Sequence, residues 1–283
     1  MLENLDMRPF ITRAAACIGI LFGAPGAAHA DWAVNMPQGV TPISRDVYDL
    51  HMLIFWICVI IGVIVFGVIF WSILRHRKSR GAVASQFHES TTAEIAWTIV
   101  PFLILVGMSV PAARTLVDME DSADSDLTIT VTGYQWMWHY EYVDEGVDFY
   151  SRLSTPQTAI ENIDEKDEDY LLAVDNRLVV PVGTKIRFQH TADDVIHSWW
   201  VPELSVKKDA IPGYINTNWA RIDEPGVYRG KCAELCGRGH GFMPVVVEAV
   251  PKDEFRKWLE EKKSEQQAGA DDGAETLASV SGQ

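Results

Sequence analysis

The stretch KCAELCGRGHGFMP, Lys231 to Pro244, gathers two cysteines, a histidine and a methionine in a chain of 283 residues that has only four cysteines. Such a density of sulfur and imidazole has three ordinary readings: a disulfide, a zinc knuckle, or a site for a metal that takes soft sulfur ligands. The choice depends on the compartment the segment occupies and on which other donors can reach it.

The compartment follows from the N-terminal third. Arg8 and Arg13 precede the apolar run AAACIGILFG, and small residues end at Ala28-His29-Ala30 before Asp31. This is the pattern of a signal peptide over residues 1–30, although Glu3 and Asp6 are unusual in its charged leading region. The run is too brief to cross a bilayer. Residues 31–50 then form an extracytoplasmic segment. From His51 to Leu74 there is no Asp, Glu, Lys or Arg, and a helix of that length would span about 36 Å, so 51–74 is read as a first transmembrane helix. A second uncharged block, IAWTIVPFLILVGMSVPAA, carries Pro101 and Pro111, which membrane helices tolerate, and places a second span at 94–115. Between them lies RHRKSR, Arg75 to Arg80, in the loop 75–93. Positive charge in a short loop marks the cytoplasmic side. Signal peptide and basic loop therefore agree that everything after about Thr115 lies outside the cytoplasm, which is the periplasm, with the hairpin in the inner membrane, if the cell is a Gram-negative bacterium.

Charge is segregated as strongly as hydrophobicity. The formal net charge is −15, and Asp118 to Asp175 holds sixteen carboxylates against Arg152 and Lys166. Nucleic acid is excluded as a partner by this sign, whereas a basic protein fits it. From Asp126 onward Leu127, Ile129 and Val131 alternate with Thr128, Thr130 and Thr132, the period of a half-buried strand, and RLVVPV, KIRFQH, GVYRGKC and MPVVVEAV follow as further strands. The expectation is an α+β membrane protein, a two-helix hairpin bearing a Greek-key sandwich or barrel over 116–262. STPQTAIENIDEKDEDY reads as a polar surface insertion. In KDEFRKWLEEKK the spacing of Phe255, Trp258 and Leu259 predicts a short amphipathic helix, and residues 263–283 read as a disordered tail.

In an oxidising compartment Cys232 and Cys236 would first be paired as a disulfide. Cys236, His240 and Met243, however, have the loop spacing that brings thiolate, imidazole and thioether to one ion, and His197 of HTADDVIHSWWVP offers a second imidazole. Two His, a Cys and a weak Met make the blue-copper set, while two Cys with two His could also hold zinc; Met243 favours copper. One thiolate is then in surplus for a single copper. A thiolate can bridge two metals, so two sulfurs and two histidines could hold a copper pair over which an added electron is shared.

CAELCGRGHGFMP with HSWWVP resembles the copper loop of subunit II of cytochrome c oxidase. The similarity covers nearly the whole chain, through EIAWTIVP, GYQWMWHYEY, VDNRLVVPVGTKIR and KKDAIPGYIN. The resemblance implies a cupredoxin-like outer domain and a binuclear copper A centre bridged by Cys232 and Cys236, with His197 and Met243 completing one copper and His240 and the carbonyl of Glu234 the other. It implies that the Glu234 side chain reaches a magnesium ion shared with subunit I, and that Trp136 is the electron port. By spacing alone, Trp136, Trp138 and Tyr140 share one strand face and would be core. Met137 and His139 depart from the commoner residues of that motif, and His139 and His190 read as structural.

The resemblance further places Glu141, Asp144, Asp175 and Asp194 near a cytochrome c docking face, where solvated surface charge is the ordinary alternative. It puts Glu94 at the mouth of a proton path into subunit I, while Thr91-x-x-Glu94 by itself is a capping-box pattern. The implied function is the electron-receiving subunit of a proton-pumping terminal oxidase, with subunits I and III and cytochrome c as partners. A membrane-anchored copper carrier or assembly protein is the rival. A quinol-oxidising subunit would lack these ligands, and the copper domain of nitrous-oxide reductase would lack the hairpin.

Overall fold

A computed structural model describes residues 35–83 and 85–281, with side chains described as far as residue 268. The expected signal peptide lies outside the described residues. Helix α1, Pro42–Arg75, and helix α2, Thr91–Glu120, contain the two expected spans and overrun them at both ends. The segment expected to lead into the membrane is thus already helical from Pro42.

Both overruns bind the hairpin to the outer domain. Thr41 caps α1 through a reciprocal box, its Oγ1 accepting from Ser44 N and the Ser44 hydroxyl accepting from Thr41 N, both at 2.9 Å. The Thr41 hydroxyl also donates to Leu204 O, and Val40 is held by bonds to Glu203 and Asp223. Arg45 forms an ion pair with Asp223 one turn on. At the far end of α2, Trp219 Nε1 donates to Asp118 O at 2.8 Å and Lys208 pairs with Glu120 at 2.9 Å.

The start of α2 corrects one expectation. Its cap is Ser90, an extended residue whose side chain accepts from Ala93 N, and Thr91 is already helical. Glu94 therefore stands one place beyond the position a capping box needs, and Thr91-x-x-Glu94 does not form one.

The outer domain is a cupredoxin-like sandwich of two five-stranded sheets. Its strands are β1 (Leu127–Tyr134), β2 (Met137–Tyr142), β3 (Val147–Ser151), β4 (Leu178–Pro181), β5 (Ile186–Ala192), β6 (His197–Val201), β7 (Val206–Ala210), β8 (Asn216–Ala220), β9 (Gly226–Cys232) and β10 (Pro244–Val250). One sheet runs β3-β2-β1-β5-β8 and the other β4-β10-β9-β6-β7. Pairing is antiparallel except where β1 lies along β5 and β4 along β10. Ile129, Val131, Trp138, Tyr140 and Phe188 from the first sheet face Leu178, Trp199, Val201, Val245 and Val247 from the second, all fully buried. A helical turn, α3 (Gln157–Ile160), lies inside the acidic insertion.

After β10 the chain enters helix α4, Lys252–Ser281. Phe255 and Leu259 are buried, and Trp258 packs against Tyr142 with ring centroids 5.4 Å apart, as the spacing predicted. The tail expected to be disordered continues this helix to Ser281, consistent with its many Ala, Glu and Gln residues, which are good helix formers.

His190 is structural, as expected. Burial between Phe188 and Trp199 lowers its pKa from 6.5 to about 4, although Nε2 keeps a 2.7 Å bond to Asn218. The ring is therefore neutral when folded, while the unfolded chain takes up a proton first as the pH falls. Stability should accordingly decline between pH 6.5 and about 4, by on the order of 3 kcal/mol from this group, and level off below. Denaturant melts of the wild type and of His190→Leu should show that decline only in the former.

Candidate metal centre

Strand β9 ends at Cys232 and β10 begins just after Met243, so the quoted loop joins two neighbouring strands of the second sheet. The Cys232 N–H donates to Met243 O at 3.3 Å, closing the loop at its base, and a one-turn helix, His240–Phe242, shapes its far side. On the other flank of β9, β6 pairs Trp199 with Cys232 and starts at His197. Donors far apart in sequence are brought to one end of the sandwich because β6, β9 and β10 are adjacent there.

The two thiols are free, with Sγ atoms 3.8 Å apart, so the disulfide reading fails. His197 Nδ1 lies 3.9 Å from Cys232 Sγ and His240 Nδ1 lies 3.6 Å from Cys236 Sγ. Met243 Sδ is 3.6 Å from Cys236 Sγ, and the Glu234 carbonyl is 3.3 Å from Cys232 Sγ. Cys232, Cys236, Met243 and His197 are buried, and the donor atoms of His197 and both cysteines lie within 4.8 Å of one another. Two thiols, two imidazole nitrogens, a thioether and a carbonyl exceed what one tetrahedral zinc uses, and the soft sulfur donors suit copper.

Acidity follows from this crowding. Burial alone would raise the Cys232 thiol, but His197 and the surrounding hydrogen bonds outweigh it and bring the pKa down to about 7. Cys236 is pushed up to about 12 by burial and then by the charge on Cys232. His197 is lowered by burial, yet Cys232 and Asp194 together carry it above its ordinary value. Without a cation the site holds one negative sulfur readily and resists a second.

Several residues that hold the site are not evident from sequence. Asp194 Oδ1 lies 2.9 Å from His197 Nε2, and the same carboxylate accepts from the N–H groups of Gln135 and Val195. This fixes the ring with Nδ1 toward the thiols, so Asp194, expected only at a docking face, orients a donor. Gly133 is needed for space, since a Cβ there would lie 2.7 Å from the His197 ring. Trp136 precedes β2 rather than sharing a face with Trp138 and Tyr140, which are buried. It is half-buried over the loop, its Nε1 donating to Cys236 O at 3.2 Å, and a Cβ at Gly239 would meet its ring at 2.3 Å. The D-x-x-H spacing was the one available sequence signal for Asp194; none marked Gly133.

The remaining predicted residues do not all gather here. Asp175 accepts from the backbone N–H of Arg152, whose side chain reaches Met137 beside Trp136. Glu141 lies four residues further along β2 than Met137, about 13 Å away, and Asp144 follows in the next turn. Glu234 has an exposed side chain, and Glu94 is on the membrane hairpin.

The family model for the periplasmic domain of cytochrome c oxidase subunit II matches residues 127–250, and that for its transmembrane domain matches residues 29–114. The chain belongs to the cytochrome c oxidase subunit II family. It is 40% identical over 232 residues to a probable cytochrome c oxidase subunit 2 of Rickettsia felis, covering 82% of this chain and 72% of the relative. The subunit 2 of Cyanidium caldarium is 38% identical over 241 residues, 83% of this chain and 92% of its own. The crystal structure of the periplasmic domain of subunit II from Bradyrhizobium japonicum matches at 40% identity, covering 51% of this chain and 98% of that one, with a TM-score of 0.46. As a member of this family the chain is a membrane-anchored subunit of a cytochrome c oxidase, an oxidoreductase, with a Cys and His cluster compatible with copper.

Metal uptake as a dithiolate should release about one thiol proton above pH 8 and about two at pH 6, because Cys232 titrates near 7 and Cys236 near 12. Apparent affinity should therefore rise with pH, measurable by calorimetry in buffers of different ionisation enthalpy. Asp194→Asn should weaken copper binding about 10- to 100-fold while leaving the fold intact. Gly133→Val, which drives the His197 ring aside, should weaken it at least as much.

Proposed function

We propose that the chain is the electron-receiving subunit of a cytochrome c oxidase, accepting electrons from cytochrome c for delivery to the heme of subunit I, where oxygen is reduced and protons are pumped. The observation that carries this reading is the buried approach of two unbonded thiols to 3.8 Å with two imidazole nitrogens, a thioether and a carbonyl around them. Cys232 and Cys236 would bridge two coppers, His197 and Met243 completing one, His240 and the carbonyl of Glu234 the other. When bound, such a pair supplies a one-electron centre whose charge is shared over two ions.

The chain's own residues act around that centre. The interstrand loop pre-positions the donors, so little rearrangement accompanies a change of charge. Asp194 holds the His197 ring, and Trp138 stacks edge-on to the same ring at 5.9 Å. The Trp136 indole is partly open to solvent and bonded directly to the Cys236 carbonyl, which supports its role as the electron port. Glu141, Asp144, Asp175 and Asp194 provide a negative field that would speed the encounter with a lysine-rimmed donor. Asp194, which accepts from the Gln135 N–H at 2.7 Å, is placed directly beside Trp136, while Asp175 is tied to the backbone of Arg152, whose side chain reaches Met137.

Two acids are assigned roles toward subunit I. The exposed carboxylate of Glu234, on the residue whose carbonyl faces Cys232, would help hold a magnesium ion at that boundary. Glu94 is not committed to a capping box, which leaves its carboxylate available at the mouth of a proton path. Subunits I and III and the inner membrane of a bacterium complete the assignment, with the outer domain in the periplasm. A copper carrier would expose a sparse site for exchange, whereas here the sulfur donors are buried.

Electron paramagnetic resonance of the purified oxidase decides the point. One unpaired electron spread equally over two copper nuclei is the expected signal, absent in Cys232→Ser and Cys236→Ser; a single-nucleus pattern would refute the copper pair. Trp136→Phe should retain that signal and slow reduction by cytochrome c at least 10-fold.

A further inference from the structure

Gln135 lies in the turn between β1 and β2 and so belongs to the first sheet, whereas the thiols hang from the second. Its backbone N–H donates to Asp194 Oδ2 at 2.7 Å, and the other oxygen of that carboxylate lies 2.9 Å from the His197 ring. Its side-chain amide donates from Nε2 to Cys236 O at 2.8 Å. One residue therefore grips both the carboxylate that orients an imidazole on β6 and the turn that carries the second thiol.

The grip bears on the Cys236 carbonyl. That oxygen accepts from Gln135 Nε2 at 2.8 Å and from Trp136 Nε1 at 3.2 Å, one donor for each of its lone pairs. Gly237 leaves room for both: its φ of +112° is one that residues with a side chain rarely adopt, and a Cβ there would lie 3.1 Å from Gln135 Nε2 and 3.2 Å from the Trp136 ring. The sulfur of the same cysteine lies among the metal donors, 3.8 Å from Cys232 Sγ and 3.6 Å from His240 Nδ1. A continuous line of contact thus leads from the Trp136 indole through one hydrogen bond to the carbonyl, Cα, Cβ and sulfur of Cys236. The Gln135 bond is near the best length for N–H···O, and the indole bond is at the long end of the range. Because a peptide unit is planar, the stronger bond fixes the plane, and with it the direction of the lone pair left for the indole.

We infer that Gln135 is a positioning residue for electron entry: its side-chain amide holds the Cys236 peptide so that the carbonyl stays bonded to the Trp136 indole. The inference rests on the reading of Trp136 as the port of a copper-bearing acceptor. Gln135 is itself no metal donor, and it is exposed, so removing its amide leaves the donor set and the core in place. What changes is the contact between port and sulfur, across which electronic coupling falls steeply as a gap opens.

The test uses the intact, copper-loaded oxidase. Gln135→Leu should lower the first-order rate of copper reduction within a preformed complex with reduced cytochrome c about 5-fold, the factor that matches the net worth of one neutral hydrogen bond. The two-copper resonance and the midpoint potential should stay as in the wild type. Hydrogen exchange across Cys232 to Met243, followed by mass spectrometry, should rise several-fold because the loop has lost its clasp. Gln135→Glu keeps the length but turns an acceptor toward an acceptor, and should slow the same step more than Gln135→Leu does. A role in the encounter gives the opposite order, since an added carboxylate strengthens the negative field and speeds association. Faster copper reduction in Gln135→Glu, or an unchanged first-order rate in Gln135→Leu whatever its loop exchange, would overturn the inference. Loss of the two-copper resonance in Gln135→Leu would also overturn it, by making Gln135 a support of the metal donors instead of the port. An unmodified enzyme whose copper cytochrome c does not reduce would instead refute the acceptor reading, and an unchanged rate in Trp136→Phe would refute the port.

Discussion

Two sulfur atoms held 3.8 Å apart in a buried pocket are an electrostatic problem that the rest of the outer domain serves. One thiol ionises easily beside His197, and its charge then opposes ionisation of the other. A pair kept this close, unbonded and largely out of water is stable as a dianion only with cations between or around it. Every neighbouring donor is arranged for that outcome, from the two ring nitrogens to the Met243 thioether. The loop alone could not enforce the approach. Its ends are fixed by β9 and β10, and the pairing of Trp199 with Cys232 brings His197 in from the side.

A second consequence of this arrangement is that the site has little freedom relative to the membrane hairpin. The capping box of α1, the Val40 contacts and the Arg45 pair with Asp223 fasten one helix to the domain. Trp219 and Lys208 fasten the other. Individually such surface pairs contribute little to stability. Together they define one position for the thiol-bearing end above the spans. The proposed role of passing electrons onward gains from that constraint, because tunnelling-range contacts do not survive a swinging domain.

Much of this was legible in the residues. Hydropathy and charge separated hairpin from outer domain, since burying a charged side chain in a bilayer is costly enough to keep spans uncharged over their whole length. Alternation located β1, β4, β5, β9 and β10, and the spacing of Phe255, Trp258 and Leu259 located the start of α4. The metal donors could be named because soft ligands are rare and cluster visibly. The errors have equally physical origins. Trp136 shares its parity with Trp138 and Tyr140, but the strand begins one residue later, and periodicity cannot say where pairing stops. Ser90 and Thr91 are both good caps, and only backbone dihedrals choose between them. The tail's composition suits a helix as well as it suits disorder.

The order of residues, by itself, determined the two long apolar helices, the strand-rich outer domain and the kinds of atom available to a metal. These follow from local properties: transfer energies, side-chain period and ligand chemistry. Only the tertiary structure decided that the thiols stay unbonded, that Asp194 orients a ring, that Gly133 makes room for it, and that Gln135 ties a turn of one sheet to the thiol loop of the other. Each depends on chain segments tens of residues apart meeting at a defined register, and register is set by the whole sandwich closing on its core.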